Sequence, residues 1–289
     1  MSTEVTRVGT QHQLNAMAAE HAATETLVIK VGYRGAGFAG YAEQEGQRTV
    51  AGELRRALQT LLRRPCELVC AGRTDAGVSA TAQYVSMPML PDELRREPRR
   101  LWRSLAAITP EDISIRGLYR AQADFSARFD ATARHYRYRV VCGNAQPVLL
   151  WGCSWWLKGE LDVDAMARAA VALVGEHDFT SFCKVSSAAQ IREAGRSLCR
   201  CLEQVDVHLT EELGEEVLAV DVTGNAFLHN MVRIIVGSLV EVGRGNRDVT
   251  WLAEALAARD RRAAGPTAPP EGLVLCGVDY PAGALTPWS

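Results

Sequence analysis

The chain has 289 residues, 47% of them hydrophobic and 23% charged, with a formal net charge of −2. That is enough apolar material for one large core or two modest ones, and too balanced a composition for a disordered chain. It also excludes a uniformly basic nucleic-acid binder, which leaves local basic clusters as the only route to phosphate contacts.

Residues 1–24 carry Glu4, Arg7 and Glu20 and no apolar run, so they are expected to form a flexible tail and not a signal peptide. Leu27–Val31 reads as a strand, Gly32–Gly46 as a glycine-rich connection, and Thr49 as the cap of a helix striped by Val50, Leu54, Leu58, Leu61 and Leu62. Strands at Glu67–Ala71 and Gln83–Met87 flank the polar loop Gly72-Arg73-Thr74-Asp75-Ala76-Gly77, and a basic helix follows at Leu94–Leu105. The second half repeats this order. A strand at Arg134–Val141 precedes an amphipathic helix at Asp162–Val174, which ends at Gly175. Strands at Ser197–Leu209 and Val217–Val222 lead into a long apolar helix at Phe227–Val242. A loop at Pro266–Gly272 and a last strand at Leu273–Val278 complete the series. The pattern predicts an α+β fold in which two sheet-and-helix halves share a largely antiparallel sheet. The expected domains are 25–122 and 123–283, with a short tail at 284–289.

No stretch reaches the roughly 18 apolar residues of a membrane span. The eight cysteines include no CxxC pair, Cys199 and Cys201 share a strand face, and Cys66 and Cys70 have no nearby histidine. Reduced thiols in the cytoplasm, with no metal site and no cofactor, are the expectation. The arginines cluster as Arg55, Arg56, Arg63 and Arg64, as Arg95, Arg96, Arg99, Arg100 and Arg103, and as Arg134, Arg137 and Arg139. Such patches suit phosphates; the plainer reading makes them solvated helix faces.

Four segments carry chemistry or imitate it. Gly35-Ala36-Gly37-Phe38-Ala39-Gly40 fits the GxGxxG dinucleotide pattern, but the next helix starts near Thr49, so a pyrophosphate would find no helix end. Asp75 lies in a glycine-bounded turn, where backbone N–H groups can hold a carboxylate toward a cleft, or where it simply forms an Asx-turn. Arg233 is the only formal charge between Val222 and Val240, in a helix apolar on most sides. A buried guanidinium needs a carboxylate, and Asp75 is a candidate that the pairing would hold ionised and oriented; a different acid in a purely structural pair is the alternative. In Arg134-His135-Tyr136-Arg137-Tyr138-Arg139 the two tyrosines share one strand face and His135, Arg137 and Arg139 the other. One tyrosine is expected in the core and the other on a displaced base.

These pieces occur in order as AGRTDAGV (71–78), DFSARFDA (124–131) with RHYRY (134–138), GEHDFTSF (175–182), NAFLHNMVRIIVG (225–237), VEVGRG (240–245) and GPTAPPEGL (265–273). In this the chain resembles the TruA-type tRNA pseudouridine synthases from about Leu27 to Tyr280. The resemblance implies a pseudouridine synthase fold with a catalytic cleft between the halves. It implies Asp75 as catalytic residue, Tyr136 at the target base, Arg233 paired with Asp75, and Arg73 helping to open the target site. It further implies a homodimer with tRNA across both subunits, acting on uridines 38, 39 and 40 of the anticodon arm. The chain departs from the family pattern at Tyr41, Ala42, Glu43, Ser79 and Ala106, positions near the family's RNA path, which bear on substrate range. Two other readings stay open. One is a catalytically silent RNA-binding module of the same fold; the other is a nucleotide-dependent oxidoreductase built on the GAGFAG loop.

Overall fold

The computed structural model describes residues 25–289, so the tail expected at 1–24 lies outside the described residues. The predicted first strand is longer, β1 (Glu25–Tyr33), because both of its faces are covered. Leu27, Ile29, Val31 and Tyr33 enter the main core while Val28 is buried on the opposite face. β1 runs antiparallel between β3 (Ser79–Met89) and β4 (Ile113–Gln122), and the short β2 (Val69–Cys70) pairs with β3. β4 was not foreseen: arginines and a glycine interrupt its apolar alternation, and only the pairing with β1 makes it a strand.

Helix α1 (Val50–Leu62) starts where Thr49 was expected to cap it, the hydroxyl accepting from the Gly52 N–H at 3.3 Å, a device contributing about 1 kcal/mol. Val50, Leu54, Leu58 and Leu62 are buried against the sheet. The predicted basic helix splits into α2 (Pro91–Leu94) and α3 (Pro98–Ile108). Pro98 disfavours helical backbone at the residue before it, and Glu97 instead caps the N–H groups of Arg99 and Arg100. Leu101 and Leu105 anchor α3 to the core, each contributing roughly 1.5–3 kcal/mol of apolar burial.

The second half supplies β5 (Ala133–Cys142), β6 (Trp155–Leu157), β7 (Gly175–Asp178), β8 (Cys199–Glu212), β9 (Glu215–Gly224) and β10 (Leu273–Asp279). The β8–β9 hairpin turns at Leu213 and Gly214, with φ of 54° and 80°, the double positive φ that matches strand twist. Helices α4 (Val163–Ala170), α5 (Val185–Glu193), α6 (Met231–Gly243) and α7 (Trp251–Ala258) belong to this half. Asp162 caps α4 through the Ala165 N–H at 2.8 Å. α6 begins at Met231 and not at Phe227 because Asn230, at φ 64°, is left-handed, and residues 225–230 form a loop ahead of the helix.

With β11 (Thr286–Pro287), the strands form one sheet in the order β11-β4-β1-β3-β10-β5-β9-β8-β7, with β2 and β6 attached to β3 and β5. All pairings are antiparallel except β3–β10 and β5–β6, so the predicted largely antiparallel sheet is present. β10 enters between β3 and β5, pairing Val274 with Ser79 and Leu275 with Ala80, and joins the strands of the two halves. Residues 284–289, expected as a tail, return to the other end of the sheet, where β11 (Thr286–Pro287) pairs with β4 and the Trp288 N–H bonds Leu118 O at 2.9 Å. Among the described residues no helix is long and apolar enough to cross a membrane.

Candidate active site

Asp75 sits in the loop between β2 and β3, at the β3–β10 seam, and the loop is pinned from below. Ala71 N–H bonds Tyr84 O at 2.9 Å, and Thr74 Oγ1 lies 2.8 Å from the Tyr33 hydroxyl. Gln83, fully buried, exchanges hydrogen bonds with both backbone groups of Gly72. The glycine-rich segment wraps this loop. Tyr41 N–H bonds Thr74 O at 3.0 Å, and Gly40, at φ 117°, approaches so closely that a side chain would press on Thr74 O at 3.2 Å and Ala76 N at 3.3 Å. The GxGxxG match is therefore a backbone buttress for the Asp75 loop: its own turn is a single 3₁₀ turn at Gly35–Gly37, and the first N–H groups of α1 are already taken, Val50 by Gly40 O at 3.2 Å and Ala51 by Tyr41 O at 2.9 Å.

The carboxylate itself is held by side chains of the other half, not by the backbone N–H groups expected from the sequence. Asp75 Oδ2 lies 3.3 Å from Arg233 Nη1, and Oδ1 lies 3.3 Å from His229 Nε2. Arg233 also donates from Nε to Ala268 O at 2.8 Å and from Nη1 to Asn230 Oδ1 at 3.1 Å. Its contact with Asp75 thus uses Nη1 alone, shared with Asn230, while Nε anchors the 266–272 loop. His229 Nδ1 lies 2.8 Å from Ser187 Oγ on α5. A hydroxyl donating to Nδ1 leaves Nε2 as the N–H that faces Asp75. Arg233 is 16% exposed and Asp75 25%, so the pair is shielded while the carboxylate still meets solvent.

Tyr138 is fully buried and donates to Pro269 O at 2.7 Å, a core residue. Tyr136 is also nearly buried, at 8% exposure, its ring edge-on to Phe227 with centroids 5.0 Å apart and its hydroxyl beside Gly72. Burial first, then the neighbouring Tyr33 and Asp75, pushes that hydroxyl well above the ordinary tyrosine range, so it remains a neutral phenol. Among the described residues it has no hydrogen-bond partner. Arg73 is exposed beside the loop and makes no ion pair among the described residues.

Five of the twelve clustered arginines are held in structural contacts within the fold. Arg64 forks onto Glu93 with two contacts of 2.7 Å, Arg137 pairs with Asp221 and Glu212, Arg139 with Glu212, and Arg55 with Glu43. Arg134 is 7% exposed and, with no carboxylate partner among the described residues, donates to the carbonyls of Ala71, Arg128, Ala131 and Asn225. One side chain thus ties the start of the Asp75 loop to the 124–131 segment and to the loop carrying His229. Of the positions that depart from the family pattern, Tyr41 is buried behind the Asp75 loop and Ser79 accepts from Gly35 N–H at 3.0 Å, so both are scaffold. Ala42 is half-buried, while Glu43 and Ala106 are exposed.

His229 and Arg134 were not identified as site residues from the sequence. For His229 the sequence offered only its nearness to Arg233, because residues 225–230 form a loop and helical spacing does not place its side chain. Arg134 gave none, since a strand arginine among arginines looks like surface.

The site is a carboxylate with one guanidinium and one imidazole on its two oxygens, a neutral phenol and an exposed arginine nearby. Among the described residues no group of three His, Cys, Asp or Glu side chains is placed to hold a metal ion. A family model described as tRNA pseudouridine synthase matches residues 169–281. A tRNA pseudouridine synthase A of Xanthomonas oryzae pv. oryzae is 43% identical over 256 residues, covering 88% of this chain and 95% of the relative. The proteins of the same name from Xanthomonas campestris pv. campestris and Stenotrophomonas maltophilia are 43% and 42% identical, each over 88% of this chain and over 95% and 94% of their own lengths. With that identity across most of both chains, the chain belongs to the tRNA pseudouridine synthase A family.

Proposed function

We propose that this tRNA-modifying isomerase converts uridine to pseudouridine in the anticodon arm, at positions 38, 39 and 40, with Asp75 as its catalytic carboxylate. The observation that carries the reading is the convergence on Asp75, at 3.3 Å each, of Arg233 and His229 from the opposite half of the molecule. Two donors, one on each oxygen of a partly exposed carboxylate, fix its orientation toward the cleft.

The reaction breaks the C1′–N1 bond, turns the uracil and joins C5 to C1′; the proton on C5 leaves and N1 gains one, so nothing is oxidised or transferred away. A single ionised carboxylate serves either as nucleophile at C1′ or as base toward the ribose. The target nucleotide leaves the stack first, at a cost of a few kcal/mol. Arg73, exposed at the rim, holds the opened RNA, and the Tyr136 hydroxyl meets the base from within the cleft. The same reading places the enzyme in the cytoplasm as a homodimer with the RNA across both subunits. A silent binding module would have no use for an ionised carboxylate so deliberately paired, and the oxidoreductase reading loses its nucleotide loop to the buttress described above.

The test is incubation of unmodified tRNA transcripts with the protein, followed by chemical mapping of pseudouridine. Modification at 38–40 by the native protein and none by Asp75→Asn is the expected result. Modification elsewhere would overturn the target assignment, and turnover by Asp75→Asn the catalytic one.

A further inference from the structure

We infer that the molecule carries a second RNA contact, a stacking groove at the far edge of the sheet that takes an unpaired base of the tRNA substrate together with its flanking phosphates. The inference rests on the tRNA substrate assigned above. The groove, about 290 Å³, lies where α3 meets the returning C-terminal segment, and its walls are Pro98, Trp102, Tyr119, Pro287 and Trp288. Trp102 is fixed by its indole N–H, which donates to Ile115 O at 3.0 Å, yet 41% of the residue is exposed. Trp288 is fixed by its backbone bond to Leu118. β11 pairs with β4 through only two residues, which leaves the cleft open alongside.

The charge around the groove points to the ligand. On α3, Arg99, Trp102 and Arg103 follow the i, i+3, i+4 spacing of one helical face, with Arg99 lining the groove beside Trp102 and Arg103 one turn further along the same face. Arg99 and Arg103 are exposed, and neither side chain makes an ion pair or hydrogen bond among the described residues, unlike Arg55, Arg64, Arg137 and Arg139. The nearest acid on the helix, Glu97, is already occupied by the N–H groups of Arg99 and Arg100. Aromatic planes interleaved with unpaired arginines are the chemistry that binds single-stranded nucleic acid: rings take the bases and guanidiniums the phosphates.

Position makes this a contact distinct from the target site. Leu118 pairs with Ile29, and Ile29 with Val85, so the groove lies level with Val85. At roughly 3.3 Å per residue, Val85 stands on the order of 20 Å along β3 from Ser79, beside the Asp75 loop. The base bound there is several nucleotides from the target uridine and sets register and affinity, not chemistry.

The experiment measures tRNA dissociation constants at several salt concentrations, and kcat and KM, for Trp102→Ala, Trp102→Phe, Arg99→Ala and Arg103→Ala. Trp102→Ala is expected to raise Kd and KM about tenfold with kcat within about twofold, and Trp102→Phe, which keeps a ring, to recover most of that loss. Each arginine variant should reduce the slope of log K against log salt by about one. If Trp102→Ala fails to fold, the exposed arginines decide. Native affinity and salt slope in both arginine variants would overturn the proposal. So would binding of a proline-rich peptide in the groove with tRNA affinity unchanged in every variant, since such a site would serve a protein partner. Absence of pseudouridine with the native protein would overturn the activity while leaving the binding measurements to judge the groove.

Discussion

Removing Arg233 separates a functional pair from a structural one. At 3.3 Å and an effective dielectric constant near 20, two unit charges attract by about 5 kcal/mol before desolvation. Arg233 and Asp75 are 16% and 25% exposed, so solvent screens part of this, and the coupling expected from a double-mutant cycle is about 1–2 kcal/mol. Arg233→Ala also strips the carbonyl of Ala268 and the Asn230 amide oxygen of their donor, so the total loss should reach about 2–4 kcal/mol. Arg233→Lys should rescue poorly, because one ammonium cannot serve Asp75, Asn230 and Ala268 together. Activity should fall at least about 100-fold in Arg233→Ala, the scale of a misplaced catalytic group. The assay is urea denaturation of the native protein, Arg233→Ala, Asp75→Ala and the double mutant, with single-turnover pseudouridine formation alongside. The double mutant should be more stable than the sum of the single losses allows. Additivity within about 0.5 kcal/mol would refute the reasoning, since the charges would then not meet.

Asp75→Asn should abolish isomerisation while tRNA affinity stays within about tenfold, because phosphate contacts dominate binding; filter binding beside the activity assay checks both. His229→Ala removes a hydrogen bond to a charged oxygen and should lower the single-turnover rate about tenfold with KM unchanged; a rate within twofold of native would show that Arg233 alone orients Asp75. Arg134→Ala leaves four carbonyls without their donor and should lose about 3 kcal/mol, a fall in Tm of about 6 °C by calorimetry. Burial alone would raise the pKa of Glu93, but Arg64 and the Leu90 N–H outweigh it and hold the carboxyl below its usual range. A depressed carboxylate stabilises the fold above its unfolded-state pKa and loses that contribution as pH falls through the folded one. Glu93→Gln should therefore be about 2 kcal/mol less stable at pH 7, with the gap closing in acid; a pH-independent gap would count against it.

Several local decisions were legible without tertiary information. Thr49 marks its helix start because a hydroxyl reaches the N–H three residues on whatever the surroundings. Strands β1, β3, β5 and β10 sit where apolar residues run or alternate, and Arg233, the only charge in the apolar first turns of α6, announced an ion pair. β4 was missed because a bulge at Arg116 shifts its core-facing series from Ile113 and Ile115 to Leu118, and the start of α6 was misplaced because Asn230 adopts a left-handed backbone no periodicity signals.

The sequence by itself determined the segments that carry charge and the family they resemble, because ordered motifs and isolated charges are local facts. Only the tertiary structure decided which groups meet. Placing β10 between β3 and β5 brings Asp75 to Arg233, 158 residues away, and turns the start of α6 into the second wall of the site. The same packing made a phosphate-loop imitation into a buttress and buried Arg134 among carbonyls, while the exposed face of α3 kept its arginines unpaired. Composition cannot distinguish an arginine that holds a loop from one that waits for a phosphate; the difference is the number of acceptors within about 3 Å, which depends on strands far apart in the chain.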